Sequence, residues 1–419
     1  MNQLSTDSTQ LESWEMVLLR AAHEMSLSKS QYQLICDRYA VLQDILAAAT
    51  ERSLHDAHVF VQGSIRLKTT LKPAPEATND MATIDADAVV WLPNADRSDS
   101  DEILEAIETR FRDGVRVETP IKRLRRGIRV VYADENPGFH IDVTPARCAP
   151  GNGSEKGQGK LQVPDRDLGW KASSPIPYSQ WLEETAMQEV QLSGSEELLK
   201  RHVFLAEASQ DPLPEYEEYI DGNPLRAAIK LLKRHRDKWA IRTGQESVRP
   251  ISAVITTLAA EAYAEIALES QHYSYRPIEA IMEIVARIPK FIQRQGNDLF
   301  VRNPEDSGEN FAEKWNRPGE EGEAYRQAFK GWHSAALQDI RIGLQDFGST
   351  KAFAEAMSRS FGVRRLVVEE AVRELPGHWS LPGRAPGLTG NASRLSALVG
   401  GSAAGDKSQA SIEPVDRLG

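Results

Sequence analysis

The chain has 419 residues, enough for two or three domains, and its 41% hydrophobic and 26% charged residues are typical of a globular protein. Its formal net charge of −11 argues against a surface dedicated to DNA or RNA, because phosphate contacts need an excess of cations. Cys36 and Cys148 are too few for a disulfide framework or a cysteine zinc site. We find no apolar run of membrane-spanning length and no signal-peptide pattern, and we therefore expect a cytoplasmic protein without membrane contact.

The first elements in chain order predict an α+β protein. Residues 8–52 have helical periodicity and predict a long N-terminal helix, so that residues 1–57 form a helical segment packing on the next domain. Short β-branched runs follow from 58 to 145, namely HVFVQG, IDADAVVWL, RGIRVVYA and GFHIDVTPA, with a helix predicted over 99–112. We therefore predict a core domain over 58–178 that is built on a mixed sheet.

The rest of the chain is predicted to be loop, helices and tail. Residues 150–178 are rich in Gly, Pro, Ser and Lys and predict a surface loop or an interdomain connection, with a flexible loop at GNGSEKGQGK. Its GNGSEKGQGK run is not a phosphate loop, since Leu161 stands where that motif needs Ser or Thr. A helical lobe is predicted over 179–373, and a disordered tail over 381–419. The main predicted helices of the lobe cover 224–241, 250–269, 276–294 and 319–345.

Three acidic residues are candidates for a metal site. Asp85 and Asp87 alternate along one predicted strand, so their side chains share a face while Ala86 and Ala88 face the packing. Two adjacent carboxylates repel each other unless a cation offsets their charge, and Mg²⁺ shared with phosphates suits such ligands. Asp142 lies in another apolar strand and is the natural third ligand. The alternative is that these acids are solvated on an edge strand.

Gly63 and Ser64 precede the acids, and a serine with backbone N–H groups at a helix start can hold a phosphate. The segments QGSIRLKTTLKP, IDADAVVWL and FHIDVTPA resemble the DNA polymerase β-type nucleotidyltransferases. The likeness is greatest to the bacterial cyclic-oligonucleotide synthases (CD-NTases) of antiphage CBASS systems. This resemblance implies a polymerase β-like core in which Gly63 opens a short helix. It further implies two Mg²⁺ ions, replaceable by Mn²⁺, at Asp85, Asp87 and Asp142, and a triphosphate at Gly63 and Ser64.

The resemblance extends into a helical C-terminal lobe. The segments AIKLLKRHRDKW and RPISAVITTLAAEAY resemble the family's lobe, where a lysine and a serine contact the triphosphate. The matching positions are Lys233 and Ser252, with Lys230 as an alternative for the lysine. NPEDSGENFAEKW is also similar to a segment of the bacterial synthases, and we expect Phe311 and Trp315 to have a packing role. No zinc-binding insertion of His and Cys is visible, so we expect no DNA activator.

The function that the resemblance implies is synthesis of a cyclic di- or trinucleotide second messenger from NTPs, most simply ATP and/or GTP, for a downstream effector. Asp142 would lie nearest the attacking ribose oxygen, while Asp85 and Asp87 would also hold the metal on the triphosphate. One alternative is a nucleotidyltransferase that modifies protein or RNA. Another is a catalytically inactive module that senses nucleotides. The sequence leaves the bases, the ring size and the linkage open.

The basic cluster formed by Lys122, Arg123, Arg125 and Arg126 has two interpretations. It could help bind the second nucleotide or a regulatory partner, and it could instead be a solvated strand end.

The C-terminal residue, Gly419, is a candidate conjugation site. Some synthases of the resembled family are encoded with a ubiquitin-transfer-like E1/E2 partner that joins their C-terminal residue to a target. A small terminal residue on a disordered arm suits adenylation and transfer to a cysteine. The alternative is an ordinary frayed terminus.

Overall fold

The N-terminal helical region is two helices rather than one. The computed structural model describes residues 8–95, 98–114, 120–132, 138–152, 155–190, 224–272 and 274–390. Helix α1 (Ser8–Met25) ends before Ser28, whose hydroxyl accepts from the Gln31 N–H and so begins α2 (Lys29–Ala47) with a capping box. Because of this break, α1 packs with the C-terminal helices and α2 packs on the sheet. The prediction of one segment over 1–57 that packs on the core domain is therefore wrong for α1.

A seven-stranded mixed sheet forms in the described part of the N-terminal half. Its main strands are ordered β1-β2-β5-β4-β3, where β2 and β5 are parallel and the other neighbours antiparallel. The elements are β1 (His58–Gln62), α3 (Gly63–Arg66), β2 (Ile84–Trp91), α4 (Ser100–Gly114), β3 (Ile121–Arg123), β4 (Ile128–Tyr132) and β5 (Phe139–Cys148). These strands confirm the predicted runs, and α3 is the short helix that the resemblance implied.

One face of this sheet is covered and the other faces a cleft. Helices α2 and α4 pack on the covered face, where Ala86 and Ala88 of β2 meet Ile141 and Val143 of β5. Side chains alternate along a strand, so the residues between these apolar positions point to the opposite face. The sheet therefore presents the acids of β2 and β5 together to the cleft.

The loop prediction for residues 150–178 is wrong over much of its length. Strands β6 (Leu161–Asp165) and β7 (Gly169–Ser173) pair with each other, and β6 continues the sheet from β5. Leu161 and Val163 alternate into a small core with Phe60 and Trp91. The loop prediction relied on the high Gly and Pro content of the whole segment. The alternation of apolar residues in β6 is too short to change that overall composition.

The helical lobe is the larger hydrophobic unit. Its elements are α5 (Pro175–Ala186), α6 (Pro224–Thr243), α7 (Ser252–Glu269), α8 (Pro277–Arg287), β8 (Gln293–Gln295), β9 (Asp298–Phe300), β10 (Arg302–Asn303), β11 (Asp306–Asn310), α9 (Glu320–Asp339), α10 (Thr350–Phe361) and α11 (Arg365–Glu374). The helix predicted over 276–294 ends earlier because Pro289 cannot continue it. The helix predicted over 319–345 ends at Asp339, before a 3₁₀ turn at Ile342–Leu344. Among these described helices, none has the length and apolar character needed to cross a membrane.

The ordered chain extends beyond the start of the predicted tail. Leu381 is buried, and its N–H donates to the Leu388 carbonyl at 2.9 Å. The N–H of Gly383 donates to the Gly343 carbonyl at 2.7 Å. The prediction of a disordered tail is therefore wrong for residues 381–390. The remainder of that predicted tail, including Gly419, lies outside the described residues.

Candidate functional site

A cavity of about 400 Å³ lies between the sheet and the helical lobe. Of the residues that the sequence indicated, it is lined by Gly63, Ser64, Asp85, Asp87, Lys233 and Ser252. Asp142 is not in this lining but lies directly beside it on the neighbouring strand. The structure thus brings the predicted residues of both domains together around one space.

The acids lie on parallel neighbouring strands. In the β2–β5 register Asp87 is opposite Asp142, and Asp85 is opposite His140. The side chain of Asp85 is 62% exposed, whereas that of Asp142 is 18% exposed. One oxygen of Asp85, one of Asp142 and a ring nitrogen of His140 lie within 4.8 Å of one another. The two carboxylates of this compact group are close enough to share a cation, and His140 lies beside them.

Arg129 on β4 orients Asp142. Its Nε donates to Oδ1 of Asp142 at 2.6 Å, and its Nη2 donates to Oδ2 at 2.8 Å. Burial is the main cause of a raised pKa at Asp142; Arg129 opposes it and the charge of Asp85 adds to it. The bidentate contact holds the Asp142 carboxylate in one orientation at the edge of the cleft.

His140 is a site residue that the sequence interpretation missed. The ring is buried, with Nε2 at 2.9 Å from Oδ1 of Asp85 and Nδ1 at 2.8 Å from the Thr83 hydroxyl. An ionised carboxylate only accepts, so Nε2 donates to Asp85, while Nδ1 faces the Thr83 hydroxyl. The available signal was its position two residues before Asp142, on the same face of the strand.

The contact with His140 also decides the charge state of Asp85. Burial by the walls of the cleft raises the pKa of Asp85, but the exposed side chain is only partly desolvated. The hydrogen bond from His140 and the nearby charges of Arg129 and Lys233 outweigh that effect, so the pKa of Asp85 lies below its usual value. Asp85 is therefore ionised at neutral pH.

Asp87 lies against the backbone of Gly63. A Cβ atom on Gly63 would lie 1.9 Å from Oδ2 of Asp87, and the φ angle of Gly63 is +62°. Both observations require glycine at this position. Burial, followed by the charges of Asp85 and Asp142, raises the pKa of Asp87 well above its usual value. Ionisation of all three acids is therefore unfavourable unless a cation lies near them.

The same cavity also carries the candidate phosphate contacts. The Ser64 hydroxyl accepts from Thr70 at 3.1 Å, and Ser252, the first residue of α7, accepts from Arg236 at 3.0 Å. Lys233 is buried, and its Nζ donates to the Thr69 carbonyl at 2.9 Å. These three side chains form the part of the cavity that suits a polyanion.

The electrostatics of Lys233 distinguish it from Lys230. Burial, together with repulsion from Arg236, lowers the pKa of Lys233 to about 8, while Asp85 among others acts in the opposite sense. Lys230 is also buried, but its Nζ donates to the Ser26 hydroxyl at 3.1 Å and it does not line the cavity. Of the two lysines, Lys233 is thus the one at the site.

Aromatic and cationic residues complete the cavity. Tyr178 and Phe311 line it and form an edge-to-face pair with ring centroids 5.4 Å apart. Trp315 is buried in the core of the lobe, and Phe311 packs against that core, so the predicted packing role of these two residues is confirmed. Arg249 also lines the cavity, although no motif in the sequence singled it out.

Comparisons with known proteins agree with this architecture. Residues 17–185 match the model of the Second Messenger Oligonucleotide or Dinucleotide Synthetase domain. A comparison with curated proteins gives no match. The Bradyrhizobium diazoefficiens CD-NTase CdnG in complex with GTP is similar at a TM-score of 0.60 and 18% identity, covering 85% of this chain and 97% of that chain.

Vibrio cholerae DncV cyclic AMP-GMP synthase is similar in two states. Its complex with nonhydrolyzable GTP gives a TM-score of 0.50 at 13% identity, covering 86% of this chain and 88% of that chain. Its complex with the linear intermediate 5′ pppA(3′,5′)pG gives the same values. At this identity the likeness shows the fold, and it confirms the predicted polymerase β-like core with a helical lobe. Residues 17–185 are therefore similar to the second messenger oligonucleotide or dinucleotide synthetase domain, and this similarity supports the predicted enzyme class, a nucleotidyltransferase of the cyclic-oligonucleotide-synthase type.

Proposed function

We propose that the protein makes a cyclic di- or trinucleotide second messenger from NTPs by two-metal phosphodiester formation, in antiphage signalling. One observation carries the proposal: a single cavity is lined both by the carboxylates of Asp85 and Asp87 and by Ser64, Lys233 and Ser252. Carboxylates alone would suit a metal, and the basic and hydroxyl groups alone would suit an anion. Their combination suits a nucleoside triphosphate that carries a divalent cation.

The donor set supports Mg²⁺, with Mn²⁺ as a replacement. Asp85, Asp87 and Asp142 supply hard oxygen ligands, and a cation would offset the burial and the repulsion from Asp85 and Asp142 that raise the pKa of Asp87. These three residues would hold two ions. Bound there, the ions supply neutralisation of the triphosphate charge and a lower pKa for the attacking ribose hydroxyl.

The side chains of the chain position the reacting groups. Ser64, Lys233 and Ser252 bind the triphosphate of the donor nucleotide, and this anion keeps the Lys233 ammonium protonated. Asp142, held by Arg129, lies nearest the attacking ribose oxygen. That oxygen forms a bond to the α-phosphorus, the bond from the α-phosphorus to the bridging oxygen breaks, pyrophosphate leaves with the electron pair, and the hydroxyl proton passes to solvent. A second such reaction within the linear product closes the ring.

The relatives support the substrate class. The CdnG and DncV structures contain GTP, a GTP analogue or a linear adenosine-guanosine intermediate. We accordingly expect ATP and/or GTP as substrates in the cytoplasm, and a downstream effector that binds the product. Conjugation of Gly419 by an E1/E2 partner is a separate part of the proposal, and deletion of Gly419 should abolish conjugates without changing nucleotide synthesis in vitro.

The test is incubation of the purified protein with all four NTPs and Mg²⁺, followed by mass spectrometry of phosphatase-treated products. We expect a phosphatase-resistant cyclic product that is lost in the double variant Asp85→Asn with Asp87→Asn. The exposed surface acid Asp101, changed to Asn, is the matched control and should retain wild-type yield. Ser64→Ala and Lys233→Ala should weaken nucleotide binding more mildly, because each removes one contact among several.

The alternatives give different results in the same experiment. Product that forms only when RNA or protein is added would support the modifying nucleotidyltransferase instead. Calorimetric NTP binding without turnover would support the inactive sensing module. Wild-type turnover in the double variant would refute the assignment of the carboxylates.

A further inference from the structure

Residues 68–76 form a strap that leads from the end of α3 along the cavity of the candidate site. Every residue from Thr69 to Ala74 lines that cavity. The strap begins and ends in left-handed backbone, since φ is +57° at Lys68 and +62° at Glu76, and neither residue is a glycine. Such conformations cost free energy and persist only where the surroundings hold them. The path of the strap therefore depends on contacts from the elements around it.

The strap orients the Ser64 hydroxyl. The Thr70 hydroxyl donates to Oγ of Ser64 at 3.1 Å, and the Thr69 N–H donates to the Ser64 carbonyl at 2.8 Å. A hydroxyl accepts through its lone pairs and donates its single proton. Because Oγ of Ser64 accepts from Thr70, its own proton remains available to an acceptor in the cavity, which Ser64 lines. A displacement of Thr70 would therefore turn this proton in another direction.

Arg234 on α6 anchors the strap just beyond Thr70. Its Nη2 donates to the Lys72 carbonyl at 2.6 Å, and its Nη1 donates to the Pro73 carbonyl at 3.2 Å. The N–H of Lys72 in turn donates to the carbonyl of Met25, the last residue of α1, at 2.9 Å. One guanidinium thus fixes two consecutive carbonyls of the strap, and α1 supports the same point of the backbone.

Arg234 is a buried cation that forms no ion pair with a carboxylate among the described residues. Its exposure is 2%, and its hydrogen bonds go to the two strap carbonyls. Burial lowers its pKa to about 10, and the charge of Asp237 opposes this effect. The Asp237 carboxylate itself pairs with Arg236 and Arg249. Burying a charge without such a pair is costly, and an apolar residue would avoid that cost. What an arginine adds at this position is therefore the contact with the strap.

We propose that Arg234 is a positioning residue, which holds the strap so that Thr70 keeps the Ser64 hydroxyl directed at the triphosphate. The inference rests on the proposed function, in which Ser64 binds the triphosphate of the donor nucleotide. Arg234 does not line the cavity, so its effect reaches the site through the backbone of the strap. Lys233, the preceding residue of α6, lines the cavity and donates to the Thr69 carbonyl. Two consecutive residues of one helix thus have different roles, since Lys233 binds the anion and Arg234 positions a second group that binds it.

The experiment is a double-mutant cycle between Arg234 and Ser64. Product formation from NTPs and Mg²⁺ is followed by mass spectrometry over an NTP titration, which gives KM and kcat. Ser64→Ala should raise KM about tenfold, because one charge-assisted contact is lost. Arg234→Met retains a long buried side chain but removes both donors, and it should raise KM by up to that amount while kcat stays within about twofold. In the Ser64→Ala background, Arg234→Met should leave KM unchanged, because the hydroxyl through which it acts is already absent.

Three further variants locate the effect. Arg234→Lys retains the charge and can keep one carbonyl contact, so it should restore part of the affinity. Thr70→Val removes the link between the strap and the hydroxyl, and it should raise KM as Arg234→Met does. The matched control is Arg242→Met, since Arg242 is an exposed arginine of α6 that also donates to a backbone carbonyl, that of Arg359 at 3.3 Å. This control should change neither KM nor kcat.

The outcomes separate the positioning role from a structural one. Loss of folded protein lowers the apparent kcat and the melting temperature but not KM, so that pattern in Arg234→Met would overturn the inference. Equal rises in KM with and without the Ser64 hydroxyl would also overturn it, because Arg234 would then act by another route. If Arg234→Met does not fold, Arg234→Lys takes its place in the cycle, with a smaller rise expected under the same criteria.

Failure of the proposed function gives a different result. A wild-type protein that forms no product from NTPs would refute that function. The same cycle, measured as Kd for ATP and for GTP with Mg²⁺ by calorimetry, would then decide the positioning role. A wild-type protein that neither forms product nor binds either nucleotide would refute both.

Discussion

The hydrogen bonds of His140 predict that this buried ring orients Asp85, a carboxylate of the proposed metal site. We consider the change His140→Phe, which keeps an aromatic ring in the space but removes both polar contacts. The ring now joins the Thr83 hydroxyl, at 2.8 Å, to Oδ1 of Asp85, at 2.9 Å. Without that bond the 62% exposed Asp85 side chain is free to adopt other rotamers. Its carboxylate is then less often in position for the proposed Mg²⁺.

The expected size follows from the type of contact. Hydrogen bonds that orient metal ligands typically contribute about 10- to 100-fold to metal affinity or activity. We therefore expect the Mg²⁺ concentration for half-maximal product formation to rise by about tenfold or more in His140→Phe. The rate at saturating Mg²⁺ should recover at least in part, because the catalytic acids are retained. The measurement is initial product formation over a Mg²⁺ titration, with nucleotide concentrations kept saturating.

Two further variants separate orientation from packing. His140→Gln can place an amide N–H near the position of Nε2 and should restore part of the Mg²⁺ affinity. Thr83→Val removes only the outer contact and should have a smaller effect. If His140→Phe is folded and shows the wild-type Mg²⁺ dependence, the orienting role of this ring is wrong. Equal losses in the Phe and Gln variants would indicate that packing alone explains the effect.

Two other predictions concern glycine geometry and a buried acid. Gly63→Ala should abolish product, because its Cβ would clash with Asp87 at 1.9 Å, whereas Gly169→Ala, also at positive φ but in open space, should remain active and cost about 1 kcal/mol of stability. Burial raises the pKa of Glu15 to about 7, so the stability associated with its neutral form is complete below pH 4.5 and is lost as the pH rises through 7. Glu15→Gln can still accept from the Ile278 N–H. At pH 8 its free energy of unfolding, measured by denaturant titration, should therefore exceed that of the wild type by about 1–3 kcal/mol, with little difference at pH 5. Equal unfolding of both proteins at pH 8 would contradict this assignment.

Strand periodicity was sufficient to predict the face that carries the acids. Asp85 and Asp87 alternate with Ala86 and Ala88, and the structure buries the alanines and leaves the acids at the cavity. Strand periodicity does not predict the parallel pairing that puts Asp87 opposite Asp142, because this pairing depends on a crossover between strands that are distant in the chain. It could be expected from the family resemblance but not from either strand alone.

Local sequence patterns did not predict the contacts between the domains. The polar face of α6 would be solvated in an isolated helix, but the structure buries Lys233, Arg234 and Lys238 against the segment at 69–76. Backbone carbonyls of that segment accept from Lys233 and Arg234, so charged side chains are satisfied without solvent. A charge pattern identifies the amphipathic helix but does not say which chain segment covers its charged face.

The choice between Lys230 and Lys233 shows how such a contact decides chemistry. The two residues lie three positions apart on α6 and share a face, so helical spacing cannot separate them. Lys230 reaches Ser26, at the end of α1, because α1 packs on the helical lobe rather than on the sheet. Lys233 lies one turn further along α6, and its Nζ donates to the Thr69 carbonyl at the cavity wall rather than to α1. The break between α1 and α2 at Ser28, which the sequence interpretation missed, therefore determines which ammonium group is left to face the proposed triphosphate.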